Sequence, residues 1–276
     1  MKLGAHESVA GGVSLAFDRA AEHGARSVQI FTRSARGWSS PPLAAEERRA
    51  FRRAARAAKV PAIAHGSYLV NLASEDPVVR GRSLGAVREE LLRCEALGIR
   101  SLVFHPGSHP SLRRGLRLVA RALDEVHREL GEIRARICLE VTAGQGNCLG
   151  HRLEHLEEIL ARVGAPGRVG VCLDTCHLFS AGYDLSTESG TQAMLDEAVR
   201  RFGQRRIRCF HLNDSQRPRG ARVDRHAEIG RGTMGLRGFG FLVNDGRFRD
   251  TPAVLETPDD SRYARGLRLL HSLVRK

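Results

Sequence analysis

Side chains that could bind a metal ion close six of the short apolar runs in this sequence, and three more lie in the segments that follow them. The nine residues are His65, His105, Glu140, Asp174, His177, His211, Asp224, His226 and Glu256. Imidazole and carboxylate groups are ligands of zinc and similar divalent cations. The pattern therefore predicts a metal-dependent active site.

Nine candidate ligands are too many for one ion. A single zinc ion takes three or four protein groups, whereas nine suit two or three ions, and a carboxylate such as Glu140 can bridge a pair of them. Taken singly, a histidine or aspartate at the end of a strand is often a hydrogen-bonded core or capping residue. Taken together, ligand-type side chains at the ends of six runs favour a shared metal centre.

Eight short apolar or β-branched runs recur along the chain and must position these side chains. They occupy residues 2–6, 27–31, 62–66, 101–105, 136–140, 169–174, 207–211 and 252–256. The segments between them carry apolar residues at three- and four-residue spacing, which is typical of amphipathic helices. Strand-then-helix alternation repeated eight times predicts an α/β fold, a parallel (β/α)8 TIM barrel formed as a single domain by residues 1–276.

The active site of such a barrel lies at the carboxyl ends of its strands, which is where the six run-ending ligands fall. The Gly- and Arg-rich segment 213–239, which contains Asp224 and His226, interrupts the alternation of strands and helices. It is too long for an ordinary connection, so we expect it to be either functional or disordered.

The formal net charge of +13 and the isoelectric point near 10.6 predict attraction for polyanions, with nucleic acid the first candidate and an anionic membrane a weaker one. Only Lys2, Lys59 and Lys276 are lysines. A GC-rich genome produces such an arginine bias without selection for binding, so the charge supports a DNA-related function without establishing it. No apolar stretch resembles a signal peptide or a membrane span, so we expect a cytoplasmic protein that does not bind membranes.

The six cysteines form no CxxC pair, and Cys138, Cys172 and Cys209 lie inside strand-like runs. We expect small buried residues rather than disulfides or metal ligands. His6 and His109 lie near strand ends, where either could line the site by orienting a ligand. The remaining histidines are on helical segments and are expected to be solvated and without a role: His23, His127, His151, His155 and His271.

Eight sequence blocks carry a family resemblance: GAHESVAGG at 4–12, HGSYLVNLAS at 65–74, FHPGS at 104–108, LEVTAGQGNCLG at 139–150, CLDTCHLFSAGYDL at 172–185, HLNDS at 211–215, DRHAEIGRGTMG at 224–235 and LETP at 255–258. The chain resembles endonuclease IV, the zinc-dependent apurinic/apyrimidinic endonucleases, from its fourth residue to about Pro258. Blocks such as AGQG, LDTCH with AGYDL, and DRHxxIGxG are long and specific, which argues against chance similarity.

The resemblance implies a centre of three zinc ions, for which Mn or Co could substitute. Its ligand sets would be His65, His105 and Glu140 for one ion, Glu140, Asp174, His211 and Glu256 for a second, and His177, Asp224 and His226 for a third. Glu140 would bridge the first two ions, and we expect it to be the catalytic carboxylate.

The activity that the resemblance implies is hydrolysis of double-stranded DNA on the 5′ side of an abasic site, a step of base excision repair. The products would be a 3′-hydroxyl and a 5′-deoxyribose phosphate, and we expect the enzyme to act as a monomer. Arg36 and Tyr68 follow the second and third strands at positions that look like DNA-contacting loops. They are the candidates for DNA binding.

Two departures from the family pattern are visible. Val141 stands where many relatives have Asn, and TRSARGW at 32–38 has Ser and Ala where an Asn-Pro or Asn-Gln pair is common. Neither departure falls on a ligand. The second lies in the loop expected to contact DNA, so it bears on DNA contacts rather than on the chemistry.

Two other functions fit parts of the pattern. Sugar isomerases and epimerases use similar barrels with metal-binding strand ends, but such sites often use a lysine, and no strand here ends in one. A basic barrel that binds nucleic acid without cleaving it, with zinc only as a structural ion, would need closed four-coordinate sites. The excess of carboxylates argues against that alternative.

Overall fold

A closed parallel barrel forms the centre of the computed structural model, which describes residues 1–275. The strands are β1 (Lys2–His6), β2 (Val28–Phe31), β3 (Ala62–His65), β4 (Ser101–Phe104), β5 (Arg136–Glu140), β6 (Val169–Asp174), β7 (Ile207–His211), β8 (Asp214–Ser215), β9 (His226–Ala227) and β10 (Pro252–Leu255). Eight of them pair in the order β1-β10-β7-β6-β5-β4-β3-β2, and β1 closes the barrel by pairing with both β2 and β10. The predicted TIM barrel is confirmed.

Helices surround the barrel. They are α1 (Ala16–His23), α2 (Ala45–Ala58), α3 (Pro77–Leu97), α4 (Leu112–Leu130), α5 (Leu153–Arg162), α6 (Thr175–Ser180), α7 (Glu188–Phe202), α8 (Arg237–Asn244) and α9 (Tyr263–Ser272). The sequence specifies the ends of α3, because the Asp76 carboxylate caps its first turn and Gly98 ends it with φ of 80°. Within residues 1–275, no helix has the length and apolar character needed to cross a membrane.

Strand residues alternate between two cores. Residues that face outward, such as Leu102 and Leu139, pack in a large cluster with the helices. Residues that face the barrel interior form a second small cluster, which consists of Ile63, Val103, Cys138, Cys172, Cys209 and Val254. All six cysteines are free, and five of them are buried, as the sequence predicted.

Strand periodicity places the candidate ligands above this inner cluster. Because side chains alternate with a period of two, a residue two positions after an inward-facing one also faces inward. Each inner residue is followed at that spacing by a candidate ligand: His65, His105, Glu140, Asp174, His211 and Glu256. The barrel interior is therefore apolar in its middle and carries ligand-type groups at its carboxyl end.

The long segment 213–239 is folded. Its two short strands β8 and β9 pair antiparallel, which brings His226 opposite Ser215. The Asp214 carboxylate accepts backbone N–H groups of Gly230, Gly232 and Met234 at 3.0–3.1 Å. These hydrogen bonds fold the segment on itself. Of the two expectations for this segment, functional or disordered, the structure excludes disorder.

His127 and His155 are buried, with 7% and 9% of their surface exposed, although we expected both to be solvated. Each lies on the inner face of its helix, because His127 is four residues after Leu123 and His155 is four residues before Ile159. Burial lowers the pKa of both imidazoles to about 4. Their helical spacing, rather than their polar neighbours, was the informative signal.

Glu90 of α3 is a buried carboxyl group that supports the loop after β3. Its Oε1 accepts the backbone N–H of Ser67 at 3.0 Å, while Oε2 has no hydrogen-bond partner among the described residues. Burial raises the pKa of Glu90 to about 7, although the Ser67 N–H and the charge of Arg33 oppose this effect. The folded protein therefore favours the protonated acid.

We expect this group to make stability depend on pH. The pKa of Glu90 is higher in the folded protein than in the unfolded chain, so the protonated acid stabilises the fold. This contribution to the free energy of unfolding is complete below the unfolded pKa of about 4.5 and is lost as pH rises through about 7. The loss is on the order of 3 kcal/mol. Urea unfolding should show Glu90→Gln losing this part of the pH dependence between pH 5 and 8, while the exposed control Glu22→Gln retains it. Parallel curves for wild type and Glu90→Gln would contradict the assignment.

Candidate metal centre

Glu140 lies at the centre of the site, and its two carboxylate oxygens face different pairs of histidines. Oε2 is 3.2 Å from Nε2 of His65 and 3.1 Å from Nε2 of His105. Oε1 is 2.9 Å from Nδ1 of His211 and 3.2 Å from Nδ1 of His177. Glu140 is fully buried. A carboxylate in this position can bridge two cations.

Two groups of ligand-type atoms share Glu140, and within each group the atoms lie within 4.8 Å of one another. The first consists of His65, His105 and Glu140, and the second of Glu140, Asp174, His211 and Glu256. In the second group, Nδ1 of His211 is 3.0 Å from Oε2 of Glu256 and 3.8 Å from Oδ2 of Asp174. The structure thus brings together the sets that the resemblance implies for two ions.

The third set, His177, Asp224 and His226, lies beside the second. The two oxygens of Asp224 are 3.1 Å from Nε2 of His177 and 3.3 Å from Nε2 of His226. Asp174 lies between the sets, because its Oδ2 is 3.8 Å from Nε2 of His226 as well. All nine candidate ligands therefore meet in one site, three of them through α6 and the long segment rather than through a strand end.

Cys176 also lies within ligand distance of Asp224 and His226. Its thiol donates to the backbone carbonyl of Arg225 at 3.6 Å, and burial raises the pKa of Cys176 to about 12. A thiol must lose its proton to bind a metal, so Cys176 is a poor ligand beside the imidazoles.

The imidazole rings are oriented for metal binding. Nδ1 of His65 donates to the carbonyl of the next residue at 2.8 Å, that of His177 to Val141 O at 2.9 Å, and that of His226 to Glu256 O at 3.1 Å. Because a carbonyl only accepts, the lone pair of each neutral ring is on Nε2, which faces the carboxylates. Nε2 of His177 and of His226 is buried without a hydrogen bond in the described part of the chain. These donors fit divalent cations such as zinc.

The buried carboxylates of the site need positive charge beside them to remain ionised. Burial would raise the pKa of Glu140, but the charges of His211 and His105 hold it well below its usual range. Burial would lower the pKa of His211, but the charges of Glu256 and Glu140 raise it well above its usual range. Bound cations would supply the positive charge that these buried carboxylates need.

Gln29, which the sequence interpretation missed, connects two ligands. It is fully buried in β2, its Oε1 accepts from Nε2 of His211 at 2.8 Å, and its Nε2 donates to the carboxylate of Glu256. Its Nε2 also lies 2.9 Å from Nδ1 of His6. The alternation of side chains along a strand could have identified it, because a polar residue at an inward-facing position of β2 faces the same space as the ligands.

Asn213 has a similar role on the other side of the site. Its side-chain amide donates to Oδ2 of Asp174 at 2.7 Å, and its Oδ1 accepts the backbone N–H of Glu256 at 2.8 Å. Asn213 is fully buried. Nothing in its sequence position distinguishes it from an ordinary loop residue, so only the structure reveals this contact.

Of the two ambiguous histidines, only His6 reaches the centre. Its Nδ1 is 3.4 Å from Oε1 of Glu256, and its ring packs on Phe31 with centroids 4.4 Å apart. His109 instead lies in the loop after β4, where its Nε2 pairs with Glu75 at 3.0 Å. His109 therefore stabilises a loop and belongs to none of the ligand groups.

Tyr68 and Arg36 lie together at the mouth of the site. The backbone N–H of Tyr68 donates to Ala35 O at 3.0 Å, which joins the loops after β2 and β3. The Tyr68 ring is 54% exposed and lies 5.4 Å from the His65 ring. Arg36 is exposed and forms no ion pair within residues 1–275. Both side chains are available to a bound ligand.

Comparisons with known proteins agree on the family to which this sequence is similar. Residues 17–273 match the family described as "Xylose isomerase-like TIM barrel". A protein of Chloroflexus aurantiacus named probable endonuclease 4 is 44% identical over 99% of this chain and 98% of its own length. One of the same name from Geobacter sulfurreducens is 44% identical over 99% of this chain and 95% of its own length.

A solved structure agrees with these relatives. The crystal structure of endonuclease IV from Thermus thermophilus superimposes with a TM-score of 0.89 at 34% identity. The match covers 99% of this chain and 98% of the Thermus chain. Fold and sequence similarity therefore extend over the same nearly complete length.

Gln29 provides a test of how the ligands are held. We expect Gln29→Leu to weaken zinc binding about 10- to 100-fold, because His211 and Glu256 would lose the amide that orients them. Zinc titration against a competing chelator, with metal counted by mass spectrometry, measures the effect. The matched control Gln192→Leu, on the exposed face of α7, should bind zinc as the wild type does. Unchanged zinc affinity in Gln29→Leu would show that the amide does not position the ligands.

Proposed function

Because this chain belongs to the endonuclease IV family, we propose that it is a DNA-repair endonuclease that hydrolyses the phosphodiester bond on the 5′ side of an abasic site. Its products would be a 3′-hydroxyl and a 5′-deoxyribose phosphate, as base excision repair requires. The observation that carries the proposal is the position of Glu140 between two pairs of histidines. A carboxylate so placed suits a multinuclear hydrolytic centre better than a single structural ion.

We propose three zinc ions, with Mn or Co as possible substitutes. His65 and His105 with Glu140 would hold one ion, and the group around His211 a second that shares Glu140. The third would lie among His177, Asp224 and His226. When bound, such ions polarise a phosphate and lower the pKa of a water molecule towards about 7.

The exposure of the ligands indicates the direction from which substrate arrives. Side chains of His105 and Asp224 are 33% and 41% exposed, whereas those of His65, His177 and His211 are at most 4% exposed. The scissile phosphate would therefore approach between His105 and Asp224. The buried ligands keep the opposite side of the centre free of water.

Recognition would depend on the two loops at the mouth. An enzyme that finds a missing base needs phosphate contacts and side chains that enter the gap in the duplex. Arg36 is an exposed cation without an ion pair among residues 1–275, and Tyr68 is a half-exposed aromatic residue next to a ligand histidine. We propose that Arg36 contacts the backbone and that Tyr68 fills the space of the missing base.

We also propose that residues 1–276 form one domain that acts as a monomer, because all nine ligands come from one barrel. The sugar isomerase alternative is not supported by the position of the lysines. Lys2 is the first residue of β1, and Lys59 lies three residues before β3. Both are at the end of the barrel opposite to the ligands.

Incision of a duplex with one tetrahydrofuran abasic analogue tests the function. The analogue cannot undergo β-elimination, so we expect a metal-dependent nick with a 3′-hydroxyl end, and no nick after chelation. Glu140→Gln should reduce incision at least a hundredfold while circular dichroism shows an intact fold, and the exposed control Glu132→Gln should cut normally. Near-normal incision by Glu140→Gln would exclude the bridging role. If metal-loaded wild type does not cut, ketoses and aldoses become the substrates to examine.

Arg36→Ala tests the DNA-contacting loop. The change should weaken binding of abasic duplex and reduce the slope of log affinity against log salt by about 0.9, the value for one phosphate contact. Its zinc content should equal that of the wild type. Arg49→Ala on the exposed surface of α2 serves as the control and should leave the slope unchanged. A loss of zinc in Arg36→Ala would place this loop in the metal centre instead.

A further inference from the structure

Basic residues surround the end of the barrel opposite to the metal centre. Every barrel strand has one at its first residue or within three residues before it: Lys2, Arg26, Lys59, Arg100, Arg136, Arg168, Arg206 and Arg249. Because all eight strands are parallel, these residues share one end of the barrel, while the candidate ligands share the other. Part of the net charge of +13 therefore lies far from the active site.

A groove crosses this end. It consists of two adjoining depressions that share Gln204, Arg205 and Arg208 in their walls. We call it the basal groove, and its arginines are Arg100, Arg136, Arg205, Arg206, Arg208, Arg247 and Arg249. The only carboxylate among its lining residues is Asp250, which lies 3.9 Å from Lys2. The groove is therefore strongly cationic.

The protein leaves most of this charge without a partner. Arg247 pairs with Asp196 and Asp245 at 2.7 and 2.6 Å. For the six other arginines of the basal groove, no carboxylate lies within 4.0 Å in the part of the chain that the structure describes. Arg201 on the outer face of the barrel, by contrast, pairs with Glu154 and Glu157. The six arginines of the basal groove other than Arg247 are therefore available to an external anion.

Helix dipoles do not account for the groove. A helix carboxyl end has the equivalent of about half a negative charge and attracts cations within its last turn. Arg136 and Arg208 belong to strands β5 and β7, and Arg100 directly precedes β4. The carboxyl ends of α3 and α7 also line the groove, at Gly98 and at Phe202 and Gly203. Two such ends together offset about one of the six positive charges that have no ion pair, so the groove stays cationic.

The lining of the groove indicates the kind of ligand. A protein partner normally buries an apolar core in its interface. None of the large exposed apolar residues, which are Leu15, Tyr68, Val78, Leu92, Leu112 and Val274, lines the basal groove. Guanidinium groups bind phosphate oxygens through paired N–H donors. We propose that the basal groove binds the backbone phosphates of a second stretch of nucleic acid, separate from the strand at the metal centre.

A binding experiment tests this second site without using catalysis. The triple variant Arg100→Gln, Arg205→Gln, Arg208→Gln removes three groove charges, and Arg113→Gln, Arg117→Gln, Arg121→Gln removes three from α4 as a matched control. Affinity of the zinc-loaded proteins for an undamaged duplex is measured against salt concentration. The slope of log affinity against log salt should fall by about 2.7 in the groove variant, at ~0.9 per phosphate contact, and much less in the control. Equal slopes in the two variants would overturn the proposal.

Two further measurements identify the ligand. Both variants should cut a short abasic duplex at the wild-type rate at saturating substrate, so a loss of incision in the groove variant alone would assign these arginines to the active site and refute a separate site. Poly-glutamate tests the other class of polyanion. If the groove variant loses poly-glutamate binding but retains the wild-type affinity for duplex, the ligand is an acidic protein and the nucleic-acid assignment is wrong. The salt slopes are measured on undamaged duplex, so they do not depend on the proposed nuclease activity.

Discussion

The burial of the Glu140 carboxylate is the constraint on which the active end of this barrel depends. A buried charge costs several kcal/mol unless an opposite charge and hydrogen bonds face it. Here four imidazoles contact the two oxygens, and further carboxylates, Asp174 and Glu256, contact the same imidazoles. Such a network is balanced either by protons on the histidines or by metal cations, and the orientation of the rings favours cations. The rings of His65 and His177 donate from Nδ1 to backbone carbonyls, which turns Nε2 of His65 towards Glu140 and Nε2 of His177 towards Asp224.

The barrel makes this concentration of ligands possible. Parallel strands end at the same level, and the period of two brings every second side chain into the interior. Below the ligands, the small and branched inner residues, including Cys138, Cys172 and Cys209, fill the barrel and exclude water. The ligands therefore lie above a packed apolar layer, and the buried amide of Gln29 forms hydrogen bonds with His211 and Glu256. Val141 packs in the outer core, and its backbone carbonyl accepts the Nδ1–H of His177.

The two ends of the barrel have opposite electrostatic character. Imidazoles and carboxylates occupy the carboxyl ends of the strands, whereas arginines cluster at the amino ends. A high net charge alone did not distinguish a DNA-binding protein from one encoded by a GC-rich genome. The distribution of the charge is more informative, because ion pairs neutralise some arginines, such as Arg201 and Arg247, whereas six of the seven arginines of the basal groove have no carboxylate partner among the described residues.

Much of the fold and of the site could be predicted from the sequence. Predicted and observed barrel strands differ by at most one residue at either end, because apolar runs between amphipathic helices have few other ways to bury their side chains. The predicted parallel barrel also implied that the strand-ending ligands share one end, and the family comparisons confirmed the resemblance. The ligand assignment itself stays a prediction. Only the tertiary structure showed that Gln29 and Asn213 contact the ligands, that His127 and His155 are buried, and that the 213–239 segment is folded. These features depend on distances between residues far apart in sequence, which local spacing does not encode.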